Sequence, residues 1–294
     1  MKPLAFAKEK ALSSYGTLRL TARAMAFKHW PIISDLRFAN KIGRYLRGAR
    51  KRLPEIDWAE FRRVAQQFKR DDMGSFVERG FLYQLACAAP PNTQVIEIGS
   101  WMGASTCFLA AGLARAATGV TARAATSARA LAATGAIAQS DATRGQGGQN
   151  GAKVFAVDNF QGLSLCGEDV DWYQRHFRKL GVTSTLDIFR SNAAALGLSR
   201  YMEPVVSDSL AAADRLREMS GQVDLIFIDG DHSYEGCRAD IEAWLPFLKP
   251  GGVVAFHDFG SRASGVTQAI FETIKAGRFA EIVGVAGTII AFRV

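Results

Sequence analysis

From Phe76 to the C-terminus, short apolar runs alternate with helical patterns, and this alternation constrains the fold more than any other feature of the chain. The runs fall at 94–98, 153–157, 202–206, 223–228, 252–256, 281–285 and 288–292. Runs of that length, most of them followed by a helical stretch, predict a parallel sheet covered on both faces. The Ala286-Gly287 turn between the last two predicts an antiparallel hairpin at the end of the chain. The expected fold is α/β: a Rossmann-like, seven-stranded mixed sheet with helices on both faces, preceded by an N-terminal helical extension.

Charge separates that extension from the rest. Residues 1–70 carry 17 Lys/Arg against 5 Asp/Glu, whereas the remainder carries 19 against 23. Between Asp35 and Lys51, Phe38, Ile42, Tyr45 and Leu46 recur at helical spacing beside Arg37, Lys41 and Arg44. A basic amphipathic helix suits either a membrane surface or packing against the main domain with a solvated face. Stacking aromatics and nucleic-acid motifs are lacking, so no nucleic-acid partner is expected. The domain division is therefore 1–75, a basic helical extension, and 76–294, the sheet domain. Residues 117–152 hold 12 Ala with many Thr, Gly and Gln, and read as an insertion, part helix and part disordered, either a lid or a surface elaboration. The four cysteines are far apart, and no apolar run reaches the length that spans a bilayer. With no recognisable secretory signal, a cytoplasmic protein is expected, at the membrane periphery if the basic helix docks there. Homo-oligomerisation stays open.

The chemistry begins where the first strand ends. In Glu97-Ile98-Gly99-Ser100-Trp101-Met102-Gly103-Ala104-Ser105-Thr106, Gly99 permits a sharp turn and Gly103 opens a helix whose N–H groups suit an anion. The spacing is G-x-x-x-G, unlike the G-x-G-x-x-G of dinucleotide binders. Glu97 could hold a ligand ammonium. The second strand ends at Asp158, an acid placed to accept from ribose hydroxyls, with Asn159 beside it. Gly99 and Asp158 are 59 positions apart, and removing the 36-residue insertion restores a spacing of 23. The fourth strand runs into Asp229-Gly230-Asp231-His232-Ser233-Tyr234-Glu235-Gly236, and the fifth into His257-Asp258. Adjacent parallel strands would bring Asp229 and Asp258 to one ion, with Mg²⁺ suited to hard oxygen donors. His232 is a candidate general base; alternatively Asp231 caps the next helix and His232 is a surface residue. For His257, structural packing and ligation both stay open.

Taken together, the segments 97–106, Val157-Asp158, 227–236, Leu248-Lys249-Pro250-Gly251-Gly252 and His257-Asp258 resemble class I S-adenosylmethionine-dependent methyltransferases, in particular the branch that includes macrocin-type sugar O-methyltransferases. The resemblance spans 76–294 without the insertion. It implies that Glu97 and the turn Gly99, Ser100, Trp101, Gly103, with Ser105, hold the methionine moiety of S-adenosylmethionine. Asp158 and Asn159 would hold the ribose, and Asp208 and Ser209 would sit by the adenine. It also implies that Asp229 contributes to both cofactor and chemistry, that Asp229 and Asp258 are the positions for Mg²⁺, and that His232 is the base for a sugar or other small hydroxyl acceptor. His257 stands where the metal-dependent members tend to carry an acidic residue or a second oxygen ligand, so it is either a further metal ligand or a second base. Two other classes remain as alternatives: an NAD-dependent oxidoreductase, or a non-catalytic Rossmann-like protein docked through its basic helix.

Overall fold

A computed structural model describes residues 53–68, 74–90, 92–133, 151–162, 167–260 and 264–294. The basic helix expected over 35–51 lies outside them. Seven strands form one sheet in the order β3-β2-β1-β4-β5-β7-β6. They are β1 (Gln94–Ile98), β2 (Lys153–Asp158), β3 (Met202–Val206), β4 (Val223–Ile228), β5 (Leu248–Phe256), β6 (Glu281–Ala286) and β7 (Ile289–Arg293). The first five are parallel, and β7 runs antiparallel to both β5 and β6. The expected mixed sheet and terminal hairpin are both present.

β1 and β4 are almost wholly buried along their length, which is why they read as mainly apolar runs rather than alternating ones. Their side chains feed two cores, one on each face. One face packs under α1 (Trp58–Gln67), α2 (Phe76–Cys87), α3 (Ala104–Ala133) and α5 (Leu186–Ala195), and includes Phe61, Tyr83, Phe108 and Phe189. The other packs under α6 (Ser209–Arg215), α7 (Tyr234–Trp244) and α8 (Ser264–Lys275), around Trp244, Ile241 and Ile270. An eighth helix, α4 (Gly167–Leu180), follows β2. Helices on both faces leave the carboxyl ends of β1, β2, β4 and β5 as the place where a ligand can enter.

Three boundaries differ from the sequence reading. Phe61 and Val64 on α1 are fully buried in the same core as α2 and α3, so the line drawn at residue 75 falls inside packed structure. The front of the Ala-rich stretch is not separate: α3 continues unbroken to Ala133, because its high Ala content favours helix. Residues 134–150 lie outside the described residues. The Lys249-Pro250-Gly251-Gly252 turn is taken into β5, where a register shift between Val223 and Leu225 absorbs it. Among the described residues no helix is long and apolar enough to cross a membrane.

Candidate active site at the carboxyl edge of the sheet

The site is built around the β1–α3 turn. Gly99 has φ +85°, and a Cβ there would overlap the carbonyl oxygen of Asp229. Only glycine lets the turn after β1 lie this close to the end of β4. Trp101 follows at φ 49°, a left-handed conformation uncommon for a bulky side chain. The turn is held by Asp158: its Oδ2 accepts from the backbone N–H of Ser100 at 2.9 Å and of Trp101 at 2.7 Å, and its Oδ1 from that of Phe160 at 2.6 Å. Asp158 also lines the cavity, but its carboxylate is engaged in shaping the glycine turn. Any contact to a ribose hydroxyl would share oxygens already accepting hydrogen bonds.

A cavity of about 670 Å³ opens at this edge. Gly99, Ser100, Trp101, Ser105, Asn159 and Asp208 line it. So do Ser209, Asp229, His232, His257 and Asp258. The structure thus brings nearly all the expected site residues to one volume. Two are absent from its wall. Gly103 packs against the Phe189 ring. Glu97 is fully buried behind the turn, where its Oε2 accepts from Thr106 Oγ1 and its Oε1 has no hydrogen-bond partner. Burial pushes the Glu97 carboxyl up to about 7, against the pull of the Ser105, Thr106 and Ser100 hydroxyls.

On the adenine side implied by the resemblance, Asp208 caps α6 by accepting from Ala211 N–H at 3.0 Å. Ser209 is occupied on both sides: its hydroxyl donates to Asp240 Oδ1 and accepts from Trp244 Nε1 at 2.8 Å. Asp240 is buried, and burial raises its carboxyl to about 6, with Ser209 lowering it and Asp231 adding to the rise. A carboxyl that titrates higher in the folded than in the unfolded chain keeps a proton that the unfolded chain releases. Stability is therefore expected to fall as pH rises from about 4 to about 6, by on the order of 2–3 kcal/mol. Asp240→Asn should flatten that part of the profile, read from denaturant midpoints across the same range.

The polar centre lies where β4 and β5 end. His257 Nδ1 is 3.0 Å from Asp229 Oδ1 and 3.2 Å from Asp258 Oδ2, and its Nε2 is 3.3 Å from Thr288 Oγ1. Asp258 itself sits at φ 56°. Thr288 donates from Oγ1 to Glu78 Oε1 at 2.8 Å and from its backbone N–H at 2.6 Å. A Cβ on Gly287 would collide with that Glu78 oxygen, so the hairpin turn needs glycine to admit it. Glu78 also closes a capping box with Ser75 at the start of α2. Burial opposes charge on His257, but Asp229, Asp258 and Glu78 outweigh it and hold the imidazole protonated far above its ordinary range. Burial likewise pushes Asp229 and Asp258 up, and the two histidines outweigh it and hold both carboxyls below their ordinary value.

His232 faces the same carboxylates, with Nε2 3.3 Å from Asp258 Oδ2 and 3.6 Å from Asp229 Oδ1. Asp231 accepts from Ser233 N–H at 2.8 Å, and Ser233, not Asp231, caps α7. Among the described residues, the group with donor atoms within 4.8 Å of one another is Asp229, His232 and Asp258. His257, expected as a ligand, is outside that group; its Nδ1 lies against the same two carboxylates. Glu78 and Thr288 were not anticipated. The Ser75-x-x-Glu78 spacing is the signal that could have marked a helix start, but the reach of Glu78 to the hairpin joins positions 210 apart.

Several known proteins are similar to this chain. A family model described as a methyltransferase domain matches residues 96–259. An uncharacterised protein of Sinorhizobium fredii, y4gI, is 31% identical over 121 residues, which cover 40% of this chain. That match spans 11% of the relative's own length. Among solved structures, an O-methyltransferase from Bacillus cereus in complex with SAH is 17% identical, covering 82% of this chain and 92% of that one, with a TM-score of 0.48. The O-methyltransferase TomG from Streptomyces achromogenes, in complex with SAM, is 16% identical, covering 82% and 91%, with a TM-score of 0.46.

Proposed function

The chain belongs to the methyltransferase-domain family as a class I, S-adenosylmethionine-dependent enzyme, and on that premise we propose that it methylates a hydroxyl oxygen of a small acceptor, a sugar or another polyhydroxy compound. Membership in that family sets aside the nicotinamide alternative. The observation that carries the acceptor chemistry is a shared cavity: the glycine turn and the cluster Asp229, His232, Asp258 line the same volume.

The residues fit the cofactor. The volume is within the range of small-molecule sites, and the carboxylates of Asp158, Asp208, Asp229 and Asp231 line it, which suits a positively charged ligand. When bound, S-adenosylmethionine supplies a methyl group on a cationic sulfur, already activated for transfer. The protein's part is then orientation and one proton. His232 turns its Nε2 towards Asp258 and Asp229. The imidazole takes the acceptor's hydroxyl proton, and the imidazolium so formed is stabilised by the same two carboxylates. His257 and Glu78 hold those carboxylates in place through Thr288.

A second reading is favoured by the donor geometry of Asp229, His232 and Asp258. These three fit a divalent cation, which would polarise the acceptor hydroxyl, and His232 would then be a ligand and not a base. Two carboxylates and an imidazole suit Mn²⁺ at least as well as Mg²⁺. Calorimetry with S-adenosylmethionine tests the main reading, and titration of the same sample with Mg²⁺ and Mn²⁺ tests the second. Saturable cofactor binding with EDTA present, and no metal signal, would support His232 as base. A metal signal lost in Asp258→Asn would support the ligand role. A folded sample that binds no cofactor would overturn both.

A further inference from the structure

The turn between β6 and β7 is tied to the end of β5. Thr288 is the last residue of that turn, and each of its polar groups is engaged. Its carbonyl accepts from the backbone N–H of Phe259 at 2.8 Å. Its backbone N–H and its hydroxyl both donate to Glu78 Oε1, at 2.6 and 2.8 Å. A hydroxyl has one proton to give, and here Glu78 takes it. In the 3.3 Å contact with His257 Nε2, Thr288 Oγ1 is therefore the acceptor and the ring N–H the donor. Glu78 is itself fixed: it is buried, and its Oε2 accepts from Ser75 N–H at 2.6 Å.

Two of these ties reach the polar centre from behind. Phe259 follows Asp258, which stands at φ 56°. A left-handed conformation at a residue other than glycine persists where surrounding bonds over-determine it, and the Phe259–Thr288 bond lies directly beside it. His257 precedes Asp258, and its Nδ1 is 3.2 Å from Asp258 Oδ2 and 3.0 Å from Asp229 Oδ1. His232 Nε2 faces the same two oxygen atoms, at 3.3 and 3.6 Å. A shift of the His257 ring, or of the turn after β5, thus passes to His232 through shared atoms. Thr288 does not line the cavity, so it acts through its neighbours and not on a ligand.

We propose that Thr288 is a positioning residue for the reaction centre. The hairpin turn, anchored on Glu78 of α2, sets the aim of Asp258 and His257, and through them of His232. This inference rests on the proposed function, in which those groups serve the acceptor hydroxyl. It makes the last hairpin and α2 working parts of the centre, although neither carries a motif that marks it. The hydroxyl is the specific part, because the two backbone bonds do not depend on the side chain at 288. One small oxygen both donates to Glu78 and accepts from His257.

The test is nuclear magnetic resonance of the histidine rings in the intact, isotope-labelled protein, whose four histidines keep the spectrum simple. Thr288→Val removes the hydroxyl and keeps the shape; Thr288→Ser keeps the hydroxyl. In Thr288→Val the ring signals of His257 and His232 are both expected to leave their wild-type positions, although Thr288 touches only the first. His176, on α4, is the internal reference and should stay in place. Thr288→Ser should bring both rings back. Calorimetry should show S-adenosylhomocysteine affinity within about twofold of wild type in both variants. A His232 signal that does not move would overturn the proposal, whether or not His257 moves. Movement of His176 as well, or the same displacement in Thr288→Ser, would mean a general loss of packing and overturn it too. A larger loss of affinity would tie Thr288 to cofactor binding and overturn the positioning role. If Thr288→Val does not fold, Thr288→Ala puts the same question without a methyl group against Glu78. The ring signals are read without ligand, so a wild-type protein that bound no S-adenosylhomocysteine would end the cofactor reading by itself, separately from these results.

Discussion

His232→Ala is expected to lower kcat by about 10²- to 10⁴-fold while S-adenosylhomocysteine binds as in wild type. The size follows from the position of the ring. His232 lines the cavity, with its Nε2 3.3 and 3.6 Å from the carboxylates of Asp258 and Asp229. His257 is fastened through both nitrogens, to Asp229 and Asp258 on one side and Thr288 on the other. A group held protonated between three acids is a poor base, so His257 cannot take over the role. The profile of kcat against pH should lose its acidic limb in His232→Ala but keep it in His257→Gln, where the carboxylates are loosened and overall rate falls. A variant with alanine at 232 and full turnover would remove the base assignment. Turnover restored to His232→Ala by added imidazole would strengthen it.

The second large effect is expected at the turn itself. Gly99→Ala forces a side chain onto the Asp229 carbonyl in a left-handed backbone conformation that disfavours any Cβ. Either β1 and β4 separate at their carboxyl ends or the turn refolds. Both outcomes displace Ser100 and Trp101 from Asp158, which holds them by backbone hydrogen bonds. A destabilisation of roughly 2–4 kcal/mol is expected, together with loss of measurable cofactor binding. Urea midpoints and calorimetry on the same preparation check the two parts. A stable, cofactor-binding Gly99→Ala protein would show that the close approach of the two strands is not needed for the site.

Much of this was legible in the chain. The parallel strands announce themselves because burial on both faces removes polar residues from runs such as Leu225–Ile228. The residues at the ends of those strands follow from the fold, since a parallel sheet collects them at one edge: Asp158, Asp229, His257 and Asp258 meet for that reason. What the chain concealed were roles set by long-range contact. Asp158 reads as a ligand acid, yet its oxygens hold the turn that precedes it by more than fifty positions. The resemblance puts Ser209 by the adenine, and the fold also uses it to link Asp240 to Trp244. Glu78 is not singled out in the sequence; it closes the capping box of Ser75, and the fold also lays the β6–β7 hairpin against it.

The length of α3 has a consequence for how this protein can vary. At about 1.5 Å per residue its 30 residues extend some 45 Å, whereas five-residue β1 covers about 17 Å. The helix starts at the reactive edge and runs back against the strand direction, so its surplus turns overshoot the opposite edge. β2 begins at that opposite edge too, with Lys153 beside Gln94. Both anchor points of the Ala-rich connection are therefore on the side of the sheet remote from the histidines. A change of chain length there falls far from the reaction centre. Such a placement separates the part of the molecule free to drift in length from the part bound by stereochemistry, and it makes this connection the natural point for a tag or a grafted module that leaves turnover intact.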